Sequence, residues 1–257
     1  MFRELRKRPA PPPGAPGPEE FTCFFLHHAG GSSASFLLMQ RHLPSDWRLR
    51  AVELPGRGLA SDDPPWRGTA DAVRALAPEL LREVTGPFAV FGHSMGALIG
   101  YELVRELVRG GRPPVWLGVS AMPAPDLVST RFPDRRDLWP KERLVAFLRE
   151  LGGTPEEMLA DPDMVDYMVD LLRADLRIVD TYTHADGPPL DVPISVFTGT
   201  GDPLTTTPMI DGWRSRSTLP VAFHALPGGH FYLFEEPELL ARHLAEDIEA
   251  RRLAVQA

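Results

Sequence analysis

From Phe21 onward, short apolar runs alternate with longer stretches in which apolar residues recur at three- and four-residue steps. The short runs are Phe21–Leu26, Leu49–Leu54, Phe88–Phe91, Val115–Val119, Ile194–Thr198 and Val221–Leu226, with Gly, Pro or Asp close by each. Strands apolar on both faces are what a parallel sheet covered on both sides requires. The longer stretches at Ser33–Leu43, Thr69–Val84, Ala97–Arg109 and Glu238–Arg252 predict helices. Strand and helix in alternation imply crossover units, hence an α/β fold with a mainly parallel sheet and helices on both faces.

One interval breaks the rhythm. Between Pro123 and Asp186 about sixty residues pass without a good strand candidate, too many for one crossover. Pro140–Leu151 reads as a helix, and Thr154-Pro155-Glu156-Glu157 as a capping box with Pro at the first helical position. Asp163–Thr183 carries Met164, Val165, Met168, Leu171, Leu172, Leu176 and Val179 at helical spacing. An all-helical insertion, about 123–186, between two strands of a parallel sheet predicts a lid over the carboxyl edge, where open α/β sheets bind ligands. Core packing is the expected use of Met158, Met164 and Met168.

Composition narrows the setting. The 257 residues are 43% hydrophobic and 24% charged, which fits one soluble domain over 21–257. The net charge of -8 argues against nucleic acid as a partner, since phosphate binding needs a basic surface. A single cysteine, Cys23, leaves no internal disulfide and suits a reducing cytoplasm. No run nears the roughly 18 apolar residues of a membrane span. Residues 1–20 join basic Arg3, Arg6, Lys7 and Arg8 to a Pro-, Gly- and Ala-rich stretch from Pro9 to Pro18, so a flexible tail is expected rather than a secretory signal.

The chemistry concentrates at three strand ends. Phe88–Phe91 runs into Gly92-His93-Ser94-Met95-Gly96 and then a helix. A serine on such a tight strand-to-helix turn projects its hydroxyl from the sheet edge, and flanking glycines leave room for the neighbouring backbone. A serine hydroxyl is a weak nucleophile at neutral pH and needs a base within hydrogen-bond reach. After Ile194–Thr198 comes Gly199-Thr200-Gly201-Asp202-Pro203, and after Val221–Leu226 comes Pro227-Gly228-Gly229-His230-Phe231. Serine, acid, then histidine is the chain order of an α/β-hydrolase fold, with Ser94 as nucleophile, His230 as base and Asp202 orienting the base. His27 and His28 lie too early for the base role, and His93 is inside the elbow and aimed away. His42, His184, His224 and His243 fall in predicted elements, and Asp191 is at the wrong end of its strand. For the tetrahedral oxyanion, the backbone N–H of Met95 and that of Ala29, in the Gly-rich loop His27-His28-Ala29-Gly30-Gly31-Ser32, are the expected donors. No cluster of residues has metal-ligand spacing, so neither a metal nor a cofactor is expected.

His28-Ala29-Gly30-Gly31, Leu54-Pro55-Gly56-Arg57-Gly58, Gly92-His93-Ser94-Met95-Gly96 and Gly228-Gly229-His230-Phe231 together resemble the type II thioesterases, editing enzymes of polyketide synthases and nonribosomal peptide synthetases. Asp175-Leu176-Arg177 with Tyr182 resembles the end of that family's lid. The resemblance implies hydrolysis of acyl groups from the phosphopantetheine arm of acyl or peptidyl carrier proteins, by a cytoplasmic monomer. Such carriers are usually acidic, as is this chain, so docking would need a local basic patch. Arg131, Arg135, Arg136, Lys141 and Arg143, at the start of the insertion, are the candidates, with Asp134, Asp137 and Glu142 interleaved. Two other readings remain at this stage: a carboxylesterase or lipase-like hydrolase with the same triad, and a catalytically idle carrier-binding module.

Overall fold

The computed structural model describes residues 1–6 and 20–256. Its strands are β1 (Phe2–Arg6), β2 (Thr22–Leu26), β3 (Arg48–Val52), β4 (Phe88–His93), β5 (Trp116–Ser120), β6 (Ile194–Gly199) and β7 (Ala222–Leu226). They form one seven-stranded sheet in the order β1-β3-β2-β4-β5-β6-β7. The α-helices are α1 (Thr69–Glu83), α2 (Met95–Arg109), α3 (Val128–Arg131), α4 (Lys141–Leu151), α5 (Glu156–Leu159), α6 (Pro162–Asp180), α7 (Thr207–Asp211), α8 (Tyr232–Glu235) and α9 (Pro237–Gln256). This is the α/β-hydrolase arrangement expected from the alternation, with every pairing parallel except that of β1 with β3.

Side chains alternate across the sheet, and each face has its own core. Phe24, Leu26, Phe88 and Val90 point to the side covered by α1 and α2. Cys23, Phe25, Ala89 and Phe91 point to the other side, where Leu240, Ala241, Leu244 and Ile248 of α9 cover them. Topology then decides where a site can form. The chain leaves β2 for β3 on one side, and leaves β4 for β5 on the other. The loops after β2 and β4 therefore diverge and open a crevice at their carboxyl ends.

Three expectations need correction. Phe2–Arg6 is not a flexible tail but an edge strand antiparallel to β3, where Phe2 packs edge-on against Phe24 and Arg6 donates to the Gln40 and Leu43 carbonyls. The Pro-rich remainder of the predicted tail lies outside the described residues. Ser33–Leu43 is not one helix but two 3-10 turns, Ser33–Phe36 and Gln40–His42, which bury Phe36, Met39 and Leu43 while Leu37 and Leu38 stay exposed. The Thr154 capping box does not form. Pro155 is the cap residue, no side chain caps the helix, and Glu156 instead pairs with Arg149. The cap that does form in this region is Asp161, which accepts from the Asp163 and Met164 amides at the start of α6.

The insertion between β5 and β6 contains helices α3 to α6 and no strand. It has a small core of its own in which Leu144, Leu159, Val165, Val169, Leu172 and Leu176 are buried. Met158 and Met164 are not core residues here; they are partly exposed and, with Met168, line a surface groove of about 730 Å³.

Candidate active site

Ser94 sits at the junction of β4 and α2 with φ 54 and ψ -121, a left-handed conformation that an L-residue holds only when its surroundings impose it. The flanking glycines show what imposes it. A Cβ on Gly92 would overlap the Gly96 carbonyl, and one on Gly96 would overlap the Leu26 carbonyl. The elbow is thus wedged against the end of β2, which places the Met95 amide beside the loop that carries Ala29. The Ser94 amide donates to the Ser120 carbonyl at 2.7 Å, which ties the elbow to the end of β5.

The three predicted residues come together as a relay. His230 Nε2 lies 3.0 Å from Ser94 Oγ, and His230 Nδ1 lies 3.0 Å from Asp202 Oδ2. A carboxylate at that distance accepts from Nδ1, the tautomer in which Nε2 faces the Ser94 hydroxyl as an acceptor. Both side chains of the His230–Asp202 pair are almost wholly buried. The carboxylate also accepts from the Leu204 amide at 2.8 Å and the Thr205 hydroxyl at 2.9 Å, so its lone pairs are satisfied and its orientation is held. Asp191 is exposed and bonds Thr218 at the opposite end of β6, as its position before that strand implies.

Ala29 and Met95 both line the cavity around Ser94 and His230. That cavity is narrow and holds only about 40 Å³, bounded by Met122, Phe132, Leu148, Leu172 and Leu204 among others. The far larger groove beneath α6 shares His28 with it. Several residues of the surround had no role assigned from sequence. The His28 ring packs edge-on against Phe231, and burial pushes its pKa down to about 4. Burial also holds the His27 and His93 imidazoles far below the usual histidine range, and His93 Nδ1 lies 2.7 Å from Ser120 Oγ. Arg57 makes a bidentate pair with Asp175, both side chains buried. The only sequence signal for that pair was the presence of both residues in motifs noted for resemblance alone.

The five cations singled out for docking do not form a free patch. Arg136 must be withdrawn from that role. It is buried, pairs with Asp180 and lies 3.9 Å over the Phe132 ring in the cavity wall, so its charge does not reach a partner. Arg131 is turned toward the Asp202 loop, donating to the Pro203 and Leu204 carbonyls. Arg135 pairs with Asp137, Lys141 with Asp166 and Arg143 with Asp134, all three with substantially exposed side chains.

Known proteins are similar to this chain over most of its length. The Thioesterase domain family matches residues 21–251. Gramicidin S biosynthesis protein GrsT of Aneurinibacillus migulanus is 32% identical over 213 residues, 82% of either chain. The type II thioesterase BorB from the borrelidin biosynthetic cluster is similar in structure, with a TM-score of 0.85, 32% identity, and coverage of 96% of this chain and 97% of that one. RedJ, a thioesterase from the prodiginine biosynthetic pathway in Streptomyces coelicolor, gives a TM-score of 0.78 at 33% identity, covering 92% and 91%.

Proposed function

The chain belongs to the thioesterase-domain family, and from that premise we propose that it uses Ser94 to release acyl groups from the phosphopantetheine arm of carrier proteins in a polyketide or nonribosomal peptide system. It is a thioester hydrolase of the type II class, the class of its structural neighbour BorB. The observation that carries the assignment of residues is the Ser94–His230–Asp202 relay, with both contacts at 3.0 Å, set against a narrow, mainly apolar cavity.

In this reading Ser94 Oγ attacks the thioester carbonyl carbon while His230 Nε2 takes its proton. The charge that develops on the carbonyl oxygen is met by the Ala29 and Met95 amides, and by the start of α2, whose N-terminal end favours negative charge. The C–S bond then breaks, and the imidazolium gives its proton to the departing thiolate. Water, deprotonated by the same nitrogen, attacks the acyl-enzyme and frees the acid, restoring the Ser94 hydroxyl. Asp202 stabilises the imidazolium at both steps without taking the proton. The chain supplies every catalytic group, and the pantetheine arm belongs to the partner. A cavity of about 40 Å³ has room for a few waters and no acyl arm, so the lid must shift to admit substrate.

The reading places a monomer in the cytoplasm beside the synthase. Cys23 is a buried free thiol, and no helix among the described residues is long and apolar enough to cross a membrane. Arg135, Lys141 and Arg143 remain the proposed contacts to an acidic carrier. The test is mass spectrometry of carrier proteins loaded with different acyl groups, incubated with the enzyme and with its Ser94→Ala variant. Loss of acyl mass with the enzyme alone is expected. Equal loss with the variant would remove Ser94 from the mechanism, and hydrolysis of matched nitrophenyl esters with acylated carriers untouched would make this an oxygen-ester hydrolase.

A further inference from the structure

The loop after β2 is a tight turn. The Gly31 amide donates to the His28 carbonyl at 3.0 Å, and Gly30 has φ +75, so His28-Ala29-Gly30-Gly31 has the backbone of a type II turn with glycine where the left-handed residue must stand. The Ala29–Gly30 peptide is the central unit of such a turn, and in an isolated chain it can flip to the type I orientation. Here it is held from outside. The Gly30 amide donates to Asp175 Oδ2 at 2.8 Å, and Asp175 stands on α6, within the lid. Arg57 grips the same carboxylate with two bonds of 2.7 and 2.6 Å, and donates at 2.7 Å to the Gly31 carbonyl. One turn earlier on α6, Leu172 packs on Gly30, and Ala29 packs against the lid's apolar cluster.

The residue beside these clamped groups is Ala29, the donor assigned to the oxyanion. The His28 ring holds the Ala29 carbonyl at 3.0 Å from within the turn, and the Gly30 amide and Gly31 carbonyl are held by α6 and the loop after β3. We propose that Asp175 and Arg57 are positioning residues: seating α6 on the turn aims the Ala29 amide at the reacting carbonyl, so closing the lid and completing the oxyanion site are one event. The arrangement has a use for an enzyme whose substrate arrives on a long arm. While the lid is displaced to admit the arm, the turn lacks the Asp175 half of its clamp, and the nucleophile faces water without full electrophilic support. Once the lid returns, Asp175 grips Gly30 again and closes on Arg57, and transition-state stabilisation is restored around a bound acyl group.

This rests on the Ser94 reading, and the experiment separates the two. The Arg57→Met/Asp175→Leu double variant removes both buried charges together at similar volume, which spares the fold an unpaired ion. Asp175→Asn keeps an acceptor oxygen for Gly30. Each is assayed with acyl-N-acetylcysteamine, alongside a trifluoromethyl ketone inhibitor that forms a tetrahedral adduct with the serine. For the double variant, kcat should fall about 30-fold with KM within about twofold, and ketone affinity should weaken by the same factor as kcat. Asp175→Asn should show the same pattern at no more than about threefold. A folded double variant with near-normal kcat overturns the proposal, as does a loss of kcat with ketone affinity unchanged, because a merely structural role would not couple the two. Should the double variant not fold, Arg57→Lys decides by the same comparison: parallel losses support the proposal, and an unchanged kcat overturns it. Retained activity in Ser94→Ala would overturn the site reading and this inference together, whereas an inactive Ser94→Ala beside a normal double variant overturns this inference alone.

Discussion

Strand β4 buries all six of its residues, whereas α6, the longest element of the lid, buries seven of nineteen and leaves Met164 and Tyr167 in solvent. The sheet is sealed on both faces by large apolar clusters that include Trp47, Trp116 and Trp213. The lid has one small cluster of its own, joins the sheet's cluster through Val128, Phe132, Ile178 and Val179, and adds two buried polar bridges: Arg136 to Asp180 within the insertion, and Arg57 to Asp175 across to the loop after β3. Apolar burial is non-directional and tolerates no partial opening without exposing area. A buried ion pair is directional, contributes little net stability when made, and leaves an uncompensated charge when half of it is removed. The sheet is closed chiefly by the first, whereas the lid combines a smaller apolar contact with the second. Ser94, Asp202 and His230 stand in loops at strand ends of the sheet, whereas Leu148, Leu172 and Leu176 of the lid form part of the cavity wall.

The sharpest test of the sheet's half of this division is Asp202→Asn. The variant should fold and bind substrate, with kcat lowered by about 10,000-fold, because the amide stabilises the wrong imidazole tautomer and gives no support to the imidazolium. Asp191→Asn, at the other end of the same strand, should stay within about twofold of the parent. Steady-state kinetics on an acyl thioester reads both, and the reverse ranking would move the acid.

Next in size is the lid's own anchor. Asp180→Ala leaves the Arg136 guanidinium buried against Phe132 without its carboxylate, a defect that typically costs about 3–5 kcal/mol. Native-state hydrogen exchange should show α4 and α6 amides exchanging at least about 100-fold faster with β4 and β5 unchanged. Equal acceleration in the strands would mean that lid and sheet open as one unit, and the contrast drawn above would fail.

The seam between the two regions predicts a pH effect. His28, held near pKa 4, and the buried His27 and His93 are neutral in the folded chain but protonate in the unfolded one below about 6.5. Between those values the unfolded state binds more protons, so stability is full above about 6.5 and falls as the pH drops toward 4. The melting temperature should decline over that window, and less steeply in His28→Asn. A flat profile from 7 down to 4.5, or an unaltered slope in the variant, would show that His28 is charged in the fold.

The smallest expected effect belongs to the lid surface. Reversing Arg135 and Lys141 to Glu should raise KM for carrier-borne acyl groups about threefold and leave acyl-N-acetylcysteamine unaffected. Added salt should erase the difference, since exposed charges are screened over about 8 Å at physiological ionic strength. Equal changes on both substrates would assign these cations to supporting the lid.

Elements whose identity depends on local pattern were readable from the chain: the β2 to β7 runs, α1, α2, α9, and the helical character of residues 123–186. So were Ser94, Asp202 and His230, because each stands in a short Gly- or Pro-marked loop at a strand end, and such loops meet at one edge of any parallel sheet. Other features were settled only when distant segments met. Phe2–Arg6 is a strand because β3 offers an unpaired edge, and nothing in its five residues states that. Ser33–Leu43 breaks into two 3-10 turns because Phe36, Met39 and Leu43 must reach one pocket of the sheet. Arg136 looked like a surface charge until Asp180, 44 positions later, and the Phe132 ring enclosed it. Arg57 and Asp175 lie 118 positions apart, and only the docking of the lid on the sheet brings them to the turn that holds Ala29. Periodicity and turn chemistry report what a segment prefers within a few residues. Burial of a charge and its choice of partner are decided by the whole fold, because the cost of removing it from water depends on what replaces the water.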